Sequence, residues 1–377
     1  MYTMATSNSA AYLVRPDRSP LEVKDAPYPT PGPNEVVIRN RAVAINPVDA
    51  VKQVAGKRMF PWLEYPLIVG NDVAGEVLEV GPDVKRFQKG DRVVALALGI
   101  DKRGKRPQEG AFQEAVVVRE MLTAKIPHNV TFAQACVVPL GACTAACGLF
   151  QKDQLALESP RVAEKRTHTG KTLLIWGAST SVGNNAVQLA TAAGYDVIAT
   201  ASPKNWDAVR RLGAAEMFDY RSPTVEQDII AAFADRECAG ALAIGNYSLG
   251  RCIDIVTQIP GARQFVSQAS IDTPGPFPTS TLAMIPFVAK FMWLSVTMRF
   301  KIWRSGVGSK FIFGSDLVEW DAKDAMVFRF LEDSLREQEY VTSPEPMVLG
   351  NGLEKIQDGM DTILKGVTMK KVVVTLE

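Results

Sequence analysis

The sequence predicts an α/β protein in two parts: a doubly wound parallel sheet and a compact β-rich, barrel-like domain. Three observations predict it. A strand–turn–helix–strand unit lies at 171–202, strands and helices alternate after it, and short strands crowd the chain before it.

The unit reads KTLLIWGASTSVGNNAVQLATAAGYDVIATAS. Leu173-Leu174-Ile175-Trp176 is an apolar run too short for a helix and right for a buried strand. Gly177 to Gly183 is a turn of small residues. Val182, Ala186, Val187, Ala190 and Ala193 then recur at helical spacing, Gly194 stops the helix, and Tyr195 to Thr200 is a second strand. A strand, glycine turn and helix in this order suit a dinucleotide, because the helix N-terminus carries free N–H groups and partial positive charge. Aligned from its last glycine the turn reads Ala178-x-Thr180-x-x-Gly183 where the fingerprint has G-x-G-x-x-G, with Ser179, Thr180 and Ser181 replacing the glycine-rich centre. Their hydroxyls either bond phosphate oxygens or close a Ser/Thr turn. An NAD site places a carboxylate at the end of the second strand for the ribose 2′-OH. Here that end is Thr200-Ala201-Ser202-Pro203-Lys204-Asn205, without a carboxylate. Ser202 and Lys204 suit a 2′-phosphate, so the expected cofactor is NADPH.

The chain has 377 residues, 47 % hydrophobic and 22 % charged, enough for two domains with a sizeable core. Its net charge of +1 gives no electrostatic ground for nucleic acid or an anionic membrane as partner. Five cysteines, Cys136, Cys143, Cys147, Cys238 and Cys252, form no C-x-x-C pair, and the odd count speaks against a disulfide framework. A reducing, cytoplasmic setting fits. The first ten residues lack the basic and apolar regions of a signal peptide and read as a frayed tail. Leu282 to Trp303 imitates a membrane span. Lys290, Arg299 and Lys301 interrupt it and Pro286 lies inside, so the expectation is a lid or substrate-pocket helix and no integral membrane span. Peripheral membrane contact stays open.

Along the chain, strands are expected over Ala10 to Arg15, Leu21 to Asp25, Glu35 to Ala44, Val73 to Val80, Asp91 to Leu98 and Ala111 to Val118. Thr131 to Phe150 has helical spacing. After the 171–202 unit come a helix over Trp206 to Leu212, a strand at Met217 to Asp219 and a helix over Val225 to Phe233. Ala241 to Ile244, Gln264 to Ser267 and Lys310 to Phe313 read as further strands, which argues for a parallel doubly wound sheet. Asp321 to Glu337 and Leu353 to Lys365 read as amphipathic helices, and Lys371 to Leu376 as a closing strand.

A set of motifs in fixed order carries a resemblance. They are Asn46-Pro47-x-Asp49, Gly70-x-Asp72-x-x-Gly75, Gly90-Asp91-Arg92-Val93, Gly110-Ala111-Phe112-x-Glu114, the Gly177–Gly183 turn, Leu212-Gly213-Ala214, Asp219-Tyr220 and Gly366-x-x-x-Lys370-Lys371-Val372-Val373-Val374. Over nearly its whole length the chain resembles the medium-chain dehydrogenase/reductase superfamily. Within it the chain looks like the zinc-free branch of quinone oxidoreductases and fungal trans-acting enoyl reductases. The resemblance implies a GroES-like catalytic domain over 1–143 and 317–377 and a Rossmann NADPH-binding domain over 144–316. Zinc members of the superfamily place a Cys where Asn46 stands and a His-Glu pair where Asn71-Asp72 stands; neutral Asn is a poor zinc ligand. The segment Leu96 to Gly110 has none of the cysteines of a structural zinc loop, and His128 and His168 lie elsewhere, as surface residues. No metal is expected.

The resemblance also implies roles. Asn46, Pro47, Val48 and Asp49 would form a cleft floor beside the nicotinamide, with Asp49 either catalytic or a structural hydrogen-bonder. Thr144, in the Val138 to Cys147 segment, would lie near the nicotinamide, and Cys143 and Cys147 would be buried small side chains. Gly177, Ala178, Ser179, Thr180, Ser181 and Val182 would hold the pyrophosphate, Ser202, Lys204 and Tyr220 the 2′-phosphoribose, and Gly245 would flank the adenosine. Phe265, Val266 and Met369 would close over the nicotinamide end. Relatives often carry Gly or a small residue where Thr368-Met369 stands. Lys52 is the candidate proton donor if it reaches the pocket, although solvent is the favoured direction for its side chain. Without a Lewis acid, alcohol oxidation lacks its usual stabiliser. The expected reaction is hydride delivery to an activated C=C of an apolar or conjugated-carbonyl substrate, with quinone reduction as alternative and a non-enzymatic cofactor-binding scaffold as a third reading. The aromatic residues Phe60, Trp62, Phe277, Phe287, Phe291 and Trp293 suggest a large apolar pocket or plain core. The assembly is a monomer or a homodimer, the latter through the edge strand near Phe311 to Phe313.

Overall fold

The computed structural model describes residues 7–15, 19–99, 101, 103–104, 106–275, 278, 281–320 and 326–377. Residues 1–6 of the expected tail, Phe277, and residues 321–325 of the expected 321–337 helix lie outside the described residues. The chain divides into two compact units, Met1–Leu140 with Val318–Glu377, and Gly141–Leu317.

The first stretch carries β1 (Asn8–Leu13), β2 (Glu22–Ala26), β3 (Glu35–Ala44), helix α1 (Pro47–Ala55), β4 (Leu67–Ile68), β5 (Asp72–Val80), β6 (Arg92–Leu96), β7 (Ala115–Arg119), β8 (Thr123–Lys125) and helix α2 (Phe132–Ala135). The unit boundary falls within α3 (Pro139–Phe150), after Leu140, and the second unit continues with β9 (Lys171–Trp176), α4 (Ser181–Ala192), β10 (Asp196–Thr200), α5 (Trp206–Arg211), β11 (Glu216–Phe218), α6 (Val225–Ala232), β12 (Glu237–Ala243), α7 (Ser248–Gln258), β13 (Phe265–Gln268), α8 (Thr281–Ser305) and β14 (Gly308–Phe311). The chain then returns with α9 (Met326–Arg336), β15 (Glu345–Asn351), α10 (Lys355–Lys365) and β16 (Lys370–Thr375).

In the first unit, β15, β16, β3, β5, β6 and β8 pair in that order, β7 joins β3, and a smaller sheet runs β2-β1-β4. Strand β3 is central. It pairs antiparallel with β5, β7 and β16, which explains why EVVIRNRAVA is buried almost throughout where its alternation suggested one wet face. Ile356 and Met360 of α10, one helical turn apart, pack into the core with Ile45, Val372 and Val374. Gly359 lies between them, and a Cβ there would sit 2.0 Å from the Ile45 side chain, so the helix approaches only through glycine.

The second unit is a six-stranded, wholly parallel sheet in the order β11-β10-β9-β12-β13-β14. Counting its own strands this is 3-2-1-4-5-6, the doubly wound order with its switch point between β9 and β12. Leu173, Leu174 and Ile175 of β9 are fully buried, as an apolar run between two covering layers must be. Each such side chain contributes about 1.5–3 kcal/mol by leaving water.

Several expectations need correction. Ala111 to Val118 is a strand only from Ala115. Before it, Asn40 Nδ2 donates to the carbonyls of Ala111 and Gln113, which holds that segment as a loop. Thr131 to Phe150 is two helices broken before Pro139. Helices α1 and α7 and strands β4 and β15 were not expected, and α8 extends the helix expected over 282–303 only to Thr281 and Ser305. Leu282–Ser305 is long and apolar enough to cross a membrane by length and composition, despite its cations. Pro286 lies in its second turn, where the missing N–H forfeits a single helix bond. All five cysteines are free and buried.

Candidate active site

Two clusters stand out, one in each unit. In the second unit the Gly177 turn leaves β9 at the switch point. Gly177 has φ +90, and a Cβ on it would meet the Ile244 carbonyl at 2.5 Å, so the turn requires glycine twice over. Thr180 caps α4: its hydroxyl accepts from Gly183 N–H at 2.9 Å and donates to the Gly177 carbonyl at 2.9 Å. That hydroxyl proton is committed, so of the two readings left open for Thr180 the structure has the Ser/Thr turn. Gly183 lies so close to the turn that a Cβ would be 2.3 Å from the Gly177 oxygen. Thr200 Oγ1 accepts from Gly177 N–H, and Asn184 Nδ2 donates to the Ala178 carbonyl, which pins the loop from both sides. The first-turn amides of Ser181 and Val182 have no acceptor within the helix and are free donors of the kind that can hold an anion. The N-terminal part of α3 lies alongside, a Cβ on Gly141 being 2.6 Å from Ser181 Oγ. Thr144 is half-buried on α3.

At the ends of β10 and β11 stands a group that the sequence only half showed. Arg221 Nη2 donates to Ser202 Oγ at 3.2 Å and to the Tyr220 hydroxyl at 3.1 Å, and its guanidinium lies 5.1 Å from the Tyr220 ring centroid. Hydrogen bonds from Ser202 and Arg221 lower the Tyr220 pKa. Lys204 is exposed, two residues after Ser202 in the short turn over 203–205. Arg221 was missed although it follows the quoted Asp219-Tyr220 pair; a cation on the loop after the third strand was the available signal. Gly245 has φ +103 and donates its N–H to Ser270 Oγ at 2.8 Å.

Phe265 and Val266 are not at this edge. Register pairs Val266 with Ala241, and Ala241 with Leu174, so both residues lie at the start of β13 while the Gly177 turn follows the end of β9. Val266 is fully buried, and Phe265 fills the space over Gly308. Position in the strand decides this: in a parallel sheet only carboxyl ends open onto the ligand crevice. The residues at that level are Gln268, Ala269 and Ser270.

In the first unit, Asn46 precedes α1, Pro47 takes its first position and Val48 is half-buried. Asp49 accepts from the Asn46 backbone N–H at 2.8 Å. Asn46 Nδ2 donates to Asp72 Oδ2 at 2.8 Å, and Lys371 Nζ donates to Asn46 Oδ1 at 2.5 Å while pairing with the same Asp72 oxygen at 2.9 Å. Asp72 Oδ1 accepts from the Leu140 N–H at 2.6 Å in the first turn of α3, a favourable place for a carboxylate. Asp72 is fully buried and Lys371 is 3 % exposed. Lys371 was quoted in a motif but given no role; strand alternation, with Lys370 outward and Lys371 inward, was its signal. Asn71 donates to the Ala97 carbonyl. Met369, two residues before Lys371, has φ +50, the left-handed conformation that suits the glycine of relatives.

Lys52 does not point to solvent. It is 5 % exposed, with Nζ 5.5 Å from the Phe60 ring centroid. The reason is α1 itself: a helix seated on the core turns Asp49, Lys52 and Gln53 inward together. Burial pushes the Asp49 carboxyl up to about 6 against the opposing pull of the Asn46 N–H and Lys52. Burial pushes the Lys52 ammonium down to about 8, resisted by Asp49 and Asp101. Asp49 Oδ1 is buried without a hydrogen-bond partner. Burial, then the Asp72 charge, holds the Cys136 thiol well above its ordinary value, so it is not a thiolate. No group of three or more His, Cys, Asp or Glu side chains able to hold a metal ion occurs among the described residues.

Comparison with known proteins agrees with this architecture. Residues 32–128 match the alcohol dehydrogenase GroES-like domain. The chain is 46 % identical to the dehydrogenase pigH of Monascus ruber, over 98 % of this chain and 100 % of that protein. It is 31 % identical to the trans-enoyl reductase himH of Aspergillus japonicus, over 98 % of this chain and 97 % of that one. An alcohol dehydrogenase superfamily protein from Novosphingobium aromaticivorans has the same fold, with a TM-score of 0.73 at 23 % identity over 99 % of this chain and all of that one. With full-length relatives at this identity, a GroES-like first unit and a 3-2-1-4-5-6 parallel sheet, the chain belongs to the medium-chain dehydrogenase/reductase superfamily.

Proposed function

We propose that the protein is a zinc-independent, NADPH-dependent reductase that delivers hydride to the activated C=C of an enone or enoyl group. The observation that carries this reading is the Lys371 ammonium bonded to Asn46 and Asp72. The positions where zinc members carry ligands hold amides and a carboxylate, and that carboxylate is already neutralised by a side-chain cation. A buried ammonium there opposes a second positive charge.

The cofactor supplies the hydride when bound. The Ser181 and Val182 amides with the α4 N-terminus hold its pyrophosphate. Ser202, Arg221 and Lys204 hold the 2′-phosphate, Arg221 through its planar fork of donors. Thr144, half-buried on α3, is assigned to the nicotinamide end of the cofactor. Lys52 and Asp49, buried on the same face of α1, are the groups assigned to supply the proton, burial bringing the Lys52 ammonium down to about 8.

The test uses chelator-dialysed protein with NADPH or NADH and a panel of enones, enoyl thioesters and quinones, followed by the absorbance of the reduced cofactor. NADPH oxidation with an enone or enoyl acceptor, unchanged by chelation, is expected. Activity that needs added zinc, or a preference for NADH, would sink the reading. Turnover with quinones alone would replace the acceptor.

A further inference from the structure

Helix α8 has two apolar faces. Met284, Phe287, Phe291, Leu294, Met298 and Ile302 recur at helical spacing on a half-buried side, and Met298 and Ile302 pack against the core that α7 builds. The opposite side carries Leu282, Ile285, Met292, Trp293, Val296, Phe300 and Trp303, with exposures of 84, 69, 61, 70, 59, 56 and 76 %. At 100° per residue these seven fall within about a 100° arc. The stripe is too large and continuous to be scattered surface residues.

We propose that this stripe docks in the interface of a lipid bilayer carrying anionic headgroups, with α8 lying in the membrane plane. Three observations select that occupant. Arg299 borders the stripe on one side, and Lys290 and Arg304 on the other, and none of the three has an ion-pair partner among the described residues. No Asp or Glu occurs from Thr273 to Ser315, a stretch that also holds Lys301 and Lys310, so the chain's net charge of +1 hides a wholly basic segment. Two exposed tryptophans, Trp293 and Trp303, sit along the stripe, and indole prefers the headgroup level. An apolar stripe with cations at its flanks lets the alkyl stems lie along the hydrocarbon and the charges reach headgroup phosphates. The other face is held by α7, and Lys301 pairs with Asp254 of that helix, so α8 rests on the bilayer as part of its unit and does not cross it.

Flotation of the full-length protein with vesicles tests this. Vesicles of equimolar phosphatidylcholine and phosphatidylserine should carry the protein, about a hundred-fold more strongly than phosphatidylcholine alone for three flanking cations, and added salt should weaken it. The Trp293→Ser/Trp303→Ser variant should stay in the vesicle-free fraction. The Lys290→Glu/Arg299→Glu/Arg304→Glu variant should lose the preference for anionic vesicles. Both should unfold at the wild-type temperature, because these side chains are exposed. Wild-type protein that remains vesicle-free at low salt, or binds both vesicles equally, overturns the proposal. If the vesicle-free protein instead forms a concentration-dependent dimer that Trp293→Ser/Trp303→Ser dissolves, the stripe joins two copies of this chain and the lipid assignment is wrong.

Discussion

The Gly177 turn and the Asn46–Asp72–Lys371 cluster are built in opposite ways. The turn is local. Gly177, Thr180, Gly183 and Asn184 satisfy one another within eight residues, and the groups offered to a ligand are backbone amides. The cluster is assembled from positions 46, 72 and 371, on three different elements, and works through side chains that satisfy one another in a dry interior. A local device tolerates loss of a side chain because its backbone remains. A long-range device fails as a unit, because each member removed strands a buried polar partner.

That contrast can be broken most severely at Lys371. Lys371→Met leaves the Asp72 carboxylate buried without its cation and should cost about 3–5 kcal/mol, read by urea denaturation. Lys371→Met/Asp72→Asn, which removes both charges, should recover a large part of that loss. A single variant as stable as wild type would show the ion pair to be dispensable.

A smaller effect, on binding only, is expected in the second unit. If Arg221 holds the 2′-phosphate as proposed, Arg221→Ala should raise the KM for NADPH about ten- to a hundred-fold, leaving NADH and the unfolding midpoint unchanged. Equal loss with both cofactors would place Arg221 outside the 2′-phosphate site. Smaller still, Thr180→Ala deletes the α4 cap and should lower stability by about 1 kcal/mol while the turn still binds, as calorimetry with cofactor would show.

The subtlest test is the pH dependence set by Asp49. Its folded pKa of about 6 lies above the ordinary 3.8. An acid raised on folding stabilises the folded state below its unfolded pKa and loses that contribution as pH rises through its folded one. Asp49→Asn should therefore flatten the fall in stability between about pH 4 and 6. An identical profile in both proteins would mean that Asp49 ionises as it does in the unfolded chain.

The same contrast explains what the sequence could reveal. The parallel sheet was legible because its central strands β9 and β10 are short apolar runs closed by their own turns, as at Leu173 to Gly177. Strand β3 was placed from alternation alone, yet its burial on both faces follows from β5, β7 and β16, which no local pattern contains. Lys52 was misread because no helix was expected over 47–55 and a lysine by itself is ordinarily outward; only the packing of α1 and α10 together turns that face inward. Phe265 and Val266 were placed at the wrong end of β13 because a strand's apolar letters do not say which residue is its last. Arg221 follows one motif and Lys371 belongs to another, but their partners Ser202 and Asp72 are 19 and 299 positions away.

Lys371 also has a consequence for the order in which this protein can be made. Its partners Asn46 and Asp72 leave the ribosome about 300 residues earlier, at typical elongation rates roughly 15–60 s before it. During that interval the first 140 residues hold a carboxylate that cannot be buried with its cation, and β3 lacks the neighbour that β16 will provide. The first unit therefore closes only after the second has been synthesised. A ribosome stalled after β14 has emerged but before Lys371 is added leaves a chain whose parallel sheet can be complete while its other half is still open.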